Sequence, residues 1–313
     1  MTRKIVLKID VDTFRGTLQG VPALVELFAE YDIKATFLFS VGPDHTGWAL
    51  KRVFRPGFFS KVQRTSVVSH YGIKTLLYGV LLPGPHIGRR ASHVIRQTLA
   101  AGHESGIHSY DHVYWQDNVA SADADWTVRQ LDKSMRAYVE AAGCAPTTLG
   151  AAGWQINPRA IAWEAEQGFH YASDCRGGKP FFPKMGSVVS QCMQIPTTLP
   201  TLDEVLGVGD IDESNVHEAV LGQMDADRDC EIYTLHAELE GMKLLPVMRR
   251  LIESWLQMGC SFQTLQQYYQ SLDVANVPTK TLEWQSIAGR SGVLAVEGAE
   301  IDTHTNSSLK QAI

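Results

Sequence analysis

Lys4-Ile5-Val6-Leu7-Lys8-Ile9-Asp10, continued by Val11-Asp12, is a short apolar run rich in β-branched residues that ends on carboxylates. A run of this length with polar bounds predicts a buried strand. Residues 21–29 then have helical spacing, and 34–40, with Ala35-Thr36-Phe37-Leu38-Phe39, read as a second strand, which makes a β-α-β opening. The alternation continues. Helical patterns cover 91–101, 126–142, 160–167 and 244–258, and each is stopped by a glycine: Gly102, Gly143, Gly168 and Gly259. Extended runs follow at 103–108, 147–152, 169–173, 231–235 and 261–265. Strands alternating with helices over most of the length predict a parallel, barrel-like α/β fold. Chemistry in such folds collects at the C-terminal strand ends, where Asp10, His108 and His236 fall.

The 313 residues, 44% of them hydrophobic, suffice for one large domain. No stretch reaches the roughly 18–20 apolar residues needed to cross a bilayer. The start, Met1-Thr2-Arg3-Lys4, enters the first strand without a signal-peptide core, so a cytoplasmic address is expected. Cys144, Cys175, Cys192, Cys230 and Cys260 are odd in number and widely spaced, and read as reduced, mostly buried thiols. The net charge of −6 conceals an asymmetry. Lys51, Arg52, Arg55, Lys61, Arg64, Lys74, Arg89, Arg90 and Arg96 lie in a stretch with no Asp or Glu, which predicts an anionic partner for that segment.

Three short stretches carry the chemistry. His108 and His112, four residues apart in His108-Ser109-Tyr110-Asp111-His112, can face one point. They could equally be core or capping histidines, and Asp111 could be a local cap. Asp10 and Asp12 lie on one side of an extended backbone. Alone they could be a solvated, turn-forming pair; with the histidines, one carboxylate can bind a cation while the other accepts a proton. His236 alone would read as a buried structural histidine, but it closes the run Ile232-Tyr233-Thr234-Leu235 at a strand end, placed to protonate a leaving amine. His103 and Glu104, at the start of their strand, read as structural. A two-histidine, one-carboxylate set suits one divalent ion, whether zinc, manganese, cobalt or nickel.

These stretches, in this order and spacing, resemble the polysaccharide deacetylases, carbohydrate esterase family four, over about residues 4–265. The resemblance implies a distorted (β/α)7 barrel, with Asp10 as general base, Asp12, His108 and His112 as metal ligands and His236 as general acid. It also implies Asp174, in Ser173-Asp174-Cys175, as the acid orienting His236. The third motif departs from the family. Where an arginine and a proline are usual, this chain has Gly150-Ala151-Ala152-Gly153-Trp154-Gln155, so the arginine that braces the base is absent. That argues against ordinary chitin-like or peptidoglycan substrates.

Longer runs, from Lys8 through Gly16, from Gly150 through Gln155 and from Tyr233 through Glu238, resemble a branch of these enzymes in Gram-negative bacteria. Its members remove the N-formyl group from 4-deoxy-4-formamido-L-arabinose carried on undecaprenyl phosphate, in lipid A modification and polymyxin resistance. The resemblance implies a metal-dependent deformylase, with Trp154 and Tyr110 at the substrate and Trp154 walling a small formyl pocket. An N-deacetylase of an acetylated aminosugar and a non-catalytic lipid-carrier-binding protein are the alternatives.

The expected organisation is a catalytic domain over 1–270, interrupted by a basic and apolar insertion over about 42–90, and a loosely packed tail over 271–313. The insertion holds Phe54, Phe58-Phe59 and the leucine-rich stretch 73–82, a composition suited to an anionic membrane surface. The alternative is a helical hairpin packed on the barrel. With no recognition motif, nucleic acid is not expected as a partner. The expected location is the cytoplasmic face of the inner membrane, as a peripheral protein.

Overall fold

The structure is a computed structural model and describes residues 2–49 and 72–301. The opening run forms strand β1 (Lys4–Val11), buried along nearly its whole length. It is the centre of a five-stranded parallel sheet with β2 (Thr36–Ser40), β3 (Glu104–Ser109), β8 (Cys230–His236) and β9 (Ser261–Gln263). One edge of β1 pairs with β8 from Lys4↔Cys230 to Asp10↔His236. The other edge is shared, β9 taking Lys4–Val6 and β2 taking Lys8–Val11. Burial on both faces explains why these strands read as near-continuous apolar runs rather than alternating ones.

The regular ladder ends at β3, and this is where the barrel is distorted. Pairing goes on through single steps: Gly150 N–H to Ile107 O, Ser173 N–H to Leu149 O, and Ile195 N–H to Ala172 O. It returns to β8 through Thr198 N–H to Ile232 O. The short strands β4 (Tyr171–Ala172) and β7 (Met193–Gln194) pair in parallel within this arc. Glu104, at the N-terminal end of β3, ties it together from below. Its carboxylate accepts from Thr36 Oγ1, Thr147 Oγ1, the Tyr171 hydroxyl and Gln266 N–H. The structural reading of Glu104 is met, and His103 likewise accepts from Ala35 N–H.

The helices stop where the glycines predict. Gly102, Gly143, Gly168 and Gly259 have φ of 82°, 81°, 81° and 76°, a left-handed conformation that favours residues without a Cβ. The helix Leu245–Gln257 buries Val247, Met248, Leu251, Ile252 and Trp255 against the sheet. Of the five cysteines, all without disulfides, only Cys144 is exposed.

The described part of the tail, to residue 301, differs from expectation. Instead of packing loosely, β10 (Thr279–Gln285) and β11 (Leu294–Glu300) form an antiparallel pair, and β10 runs parallel to β5 (Phe182–Met185), itself paired with β6 (Val188–Val189). Leu294 and Val296 are buried and cluster with Trp154. β11 also clasps the segment after β4: Arg176 N–H donates to Ala295 O, and Glu297 N–H to Arg176 O.

The insertion begins and ends at one place, where Ile87 N–H bonds Gly42 O and Gly42 N–H bonds Tyr110 O. Its middle, including Phe54, Phe58, Phe59 and the basic residues from Lys51 to Arg64, lies outside the described residues. In the described part, Val80, Leu81 and Leu82 are 53%, 75% and 37% exposed.

Candidate metal centre

Four chain segments meet above the C-terminal end of β1. Register places Asp10 beside His236 of β8 and Leu38 of β2. Asp12 follows just past the strand. His108 comes from β3, and His112 opens the helix His112–Asn118. Asp111 is that helix's N-cap, accepting from Tyr114 N–H at 3.1 Å, so the expected local cap is met. The Ser40 and Ser109 hydroxyls join β2 and β3 at 2.9 Å beneath it.

Asp12, His108 and His112 place one ligand atom each within 4.8 Å of one another. His108 Nε2 lies 3.3 Å from Asp12 Oδ1, and His112 Nε2 lies 3.4 Å from Asp12 Oδ2. The Nδ1–H of His108 donates to Gly150 O at 2.6 Å; a carbonyl only accepts, so the proton sits on Nδ1 and the Nε2 lone pair faces the cluster. Asp12 Oδ1 is buried without a hydrogen-bond partner. Two imidazole nitrogens and an unsatisfied carboxylate oxygen fit a divalent cation. Burial would raise the Asp12 carboxyl, but His112 and His108 outweigh it and hold Asp12 well below the usual range. Burial opposes charge on His108 in turn, yet Asp10 and Asp12 hold it above its ordinary value.

Asp10 stands against this group without belonging to it. Its Oδ1 is 3.8 Å from His108 Nδ1 and 3.6 Å from Lys8 Nζ, and is buried without a hydrogen bond. His236 lies alongside, its Nδ1 buried and unpartnered, its backbone N–H donating to Glu240 Oε2. The Asp174 assignment is corrected. Its two oxygens are taken by Ala151 N–H and Gln194 Nε2, and none is bonded to His236, whose Nδ1 has no partner. Burial raises its carboxyl, with Gln194 and Lys8 opposing.

The two expected substrate residues are placed differently from the triad. Tyr110 packs edge-on to His86, with Lys133 Nζ 5.8 Å from its ring. Trp154 is 2% exposed, its indole N–H donating to Thr197 Oγ1 and its backbone N–H to Ala151 O. It therefore sits inside the barrel rather than walling an open acyl pocket.

Glu238 is a site residue that motif reading missed. Its Oε1 accepts from Asp12 N–H, Thr13 N–H and Thr13 Oγ1 at 3.0, 2.7 and 2.8 Å, fixing the turn that presents Asp12. The turn approaches so closely that a Cβ on Gly16 would lie 2.0 Å from Glu238 Oε1. The signal was an acid two residues after His236 in a buried run. A second chain of contacts reaches Asp111, the residue before His112, from outside. Trp48 Nε1–H donates to Gly79 O, His45 stacks on Trp48 at 4.0 Å, and His45 Nδ1 meets Asp111 Oδ2 at 2.5 Å.

No family model matches the chain. Over 299 residues it is 36% identical to the "Probable 4-deoxy-4-formamido-L-arabinose-phosphoundecaprenol deformylase ArnD" of Shewanella sediminis (strain HAW-EB3), covering 96% of each. It is 30% identical over 283 residues to the protein of the same name from Wigglesworthia glossinidia brevipalpis, covering 90% of this chain and 98% of that one. Among solved structures, a polysaccharide deacetylase from Mycobacterium smegmatis matches with a TM-score of 0.63 at 19% identity, over 91% of this chain and 95% of that one. At that identity the likeness shows the fold. With the metal-ligand cluster, the flanking Asp10 and His236 and full-length identity all in place, the chain belongs to the ArnD family of formamido-arabinose-phosphoundecaprenol deformylases.

Proposed function

We propose that this protein hydrolyses the N-formyl group of 4-deoxy-4-formamido-L-arabinose carried on undecaprenyl phosphate, releasing formate and a free aminosugar. One observation carries the choice of a formamide over an acetamide: the full-length likeness to the Shewanella sediminis relative. Asp12, His108 and His112 would hold the divalent ion, which when bound supplies Lewis acidity to the amide carbonyl and eases proton loss from the attacking water. Asp10 accepts that proton as the water oxygen bonds to the formyl carbon. His236 protonates the departing nitrogen as the C–N bond breaks, so one water is consumed for one formate and one amine. Glu238 keeps Asp12 in place throughout.

The substrate's lipid tail stays in a bilayer, so the protein works at a membrane surface. No helix among the described residues is long and apolar enough to cross a membrane. The exposed Val80, Leu81 and Leu82 are tied to the site through Gly79, Trp48, His45 and Asp111, and would touch the anionic cytoplasmic face of the inner membrane. The role is in lipid A modification with aminoarabinose and in polymyxin resistance.

The test is formate release from formamido-arabinose on a polyprenyl phosphate carrier, with chelator and then with restored divalent ion. Release that stops and returns supports the reading. Release of acetate from the acetylated analogue alone would make it a deacetylase, and no release by folded, metal-loaded protein would leave a lipid-carrier-binding role. For the surface, Leu81→Asp should reduce sedimentation with vesicles of anionic lipid; unchanged sedimentation would count against the contact.

A further inference from the structure

We propose that Lys8 is a positioning residue for Asp10, the cation that braces the base in place of an arginine at position 150; this rests on reading Asp10 as the base. Lys8 precedes Asp10 by two residues on β1, so both side chains leave the strand on one face. The lysine is fully buried. An ammonium in such a place is strongly unfavourable unless it is hydrogen-bonded and paired, and the surroundings of Lys8 do both. Nζ donates to Ser173 O at 3.0 Å and lies 3.6 Å from Asp10 Oδ1. His108 also approaches Asp10, but its Nδ1 proton is committed to Gly150 O. Lys8 is thus the cation that faces the otherwise unbonded Asp10 oxygen.

The third motif makes room for it. A Cβ built on Gly150 would stand 3.4 Å from Lys8 Nζ and 2.4 Å from Leu38 Cδ1. A side chain at 150 and the Lys8 ammonium therefore compete for the same space. In place of a brace at position 150, on the extended stretch paired to β3, the cation comes from the strand that carries the base. Trp154 then has a role as the floor beneath it. Lys8 Nζ lies 5.6 Å from the indole centroid, and Arg290 and Arg176 lie 4.4 and 5.2 Å from it. Trp154 holds a φ of 53°, uncommon for a residue with a Cβ, to lie in this position.

The experiment compares Lys8→Met, Lys8→Arg and Asp10→Asn, with kcat and KM from formate release and ion affinity from calorimetry with zinc or manganese alone. Methionine keeps the volume and suits burial, so the fold should survive. Lys8→Met is expected to lower kcat about 10–100-fold, the usual cost of an outer supporting group, with KM and ion affinity within about threefold. Lys8→Arg should recover most of the loss. In the Asp10→Asn background, Lys8→Met should cost the residual activity nothing further. If ion affinity falls in step with kcat, if arginine rescues nothing, or if the loss persists without Asp10, the proposal is overturned. A harmless Lys8→Met beside an impaired Asp10→Asn sinks the role of Lys8 alone. A fully active Asp10→Asn sinks the reading of the base as well.

Discussion

The two aspartates of the first motif stand two residues apart and are supported in opposite ways. Asp12 belongs to a local cluster: its histidine neighbours come four residues apart at the end of β3, and a single acid, Glu238, fixes its turn. Asp10 is supported in depth, through a chain of contacts. Behind it are Lys8, Ser173, Trp154 and, through Trp154, Arg290 from the far end of the chain. A ligand set must converge at short range on one point, and short motifs do this. A base must be held against a charge in a dry interior, and that takes several separate segments.

Variants can break this contrast. The largest effect is expected for His108→Ala or Asp12→Ala, which should remove stoichiometric cation binding in calorimetry and lower formate release by on the order of 10³-fold or more, beyond the cost of losing a supporting group. Asp10→Asn should lower kcat about 10²–10⁴-fold with ion affinity intact; a fall in affinity would merge the two sides. Glu238→Gln should weaken the cation about 10–100-fold, read by calorimetry, because the Asp12 turn loses its charged acceptor.

On the Asp10 side, Leu294→Ala should cost about 2–5 kcal/mol in urea unfolding and lower kcat without touching ion affinity. The smallest effect is one of slope. Burial pushes the Glu240 carboxyl up from 4.5 to about 7, His236 opposing it. The folded state therefore binds this proton more tightly than the unfolded one. Its contribution is fully present below about pH 4.5 and is lost as pH rises through about 7. Glu240→Gln should flatten that decline in stability; an unchanged slope would remove Glu240 as its source.

The same contrast explains what could be read in advance. The alternating elements, the glycine stops and the His108–His112 pair were legible because each depends on neighbours a few residues away; Asp12 joined the pair through the resemblance of the motifs. Trp154 was visible as a motif residue, but its depth depends on β11, about 140 residues later. The tail reads as loose because, from Val274 onward, it is rich in Ser, Thr and Gly, and because β10 finds its partner β5 about 100 residues earlier. Asp174 was placed near the right strand end, yet sequence cannot say whether it faces His236 or Lys8. Lys8 passes unremarked within the opening run, although a charge in the middle of a buried strand, two residues before an acid, is a conflict of local and global preference that marks a functional position.

The clasp of β11 on Arg176 also divides the site along the chain. The cation ligands, and the Glu238 that fixes the Asp12 turn, all precede residue 240, while the floor beneath Lys8 is closed by residues 290–296. A chain cut at the boundary near 270 would carry every ligand and still lack the strand that packs on Trp154. A form truncated there should therefore still take up the cation while its base is left poorly braced.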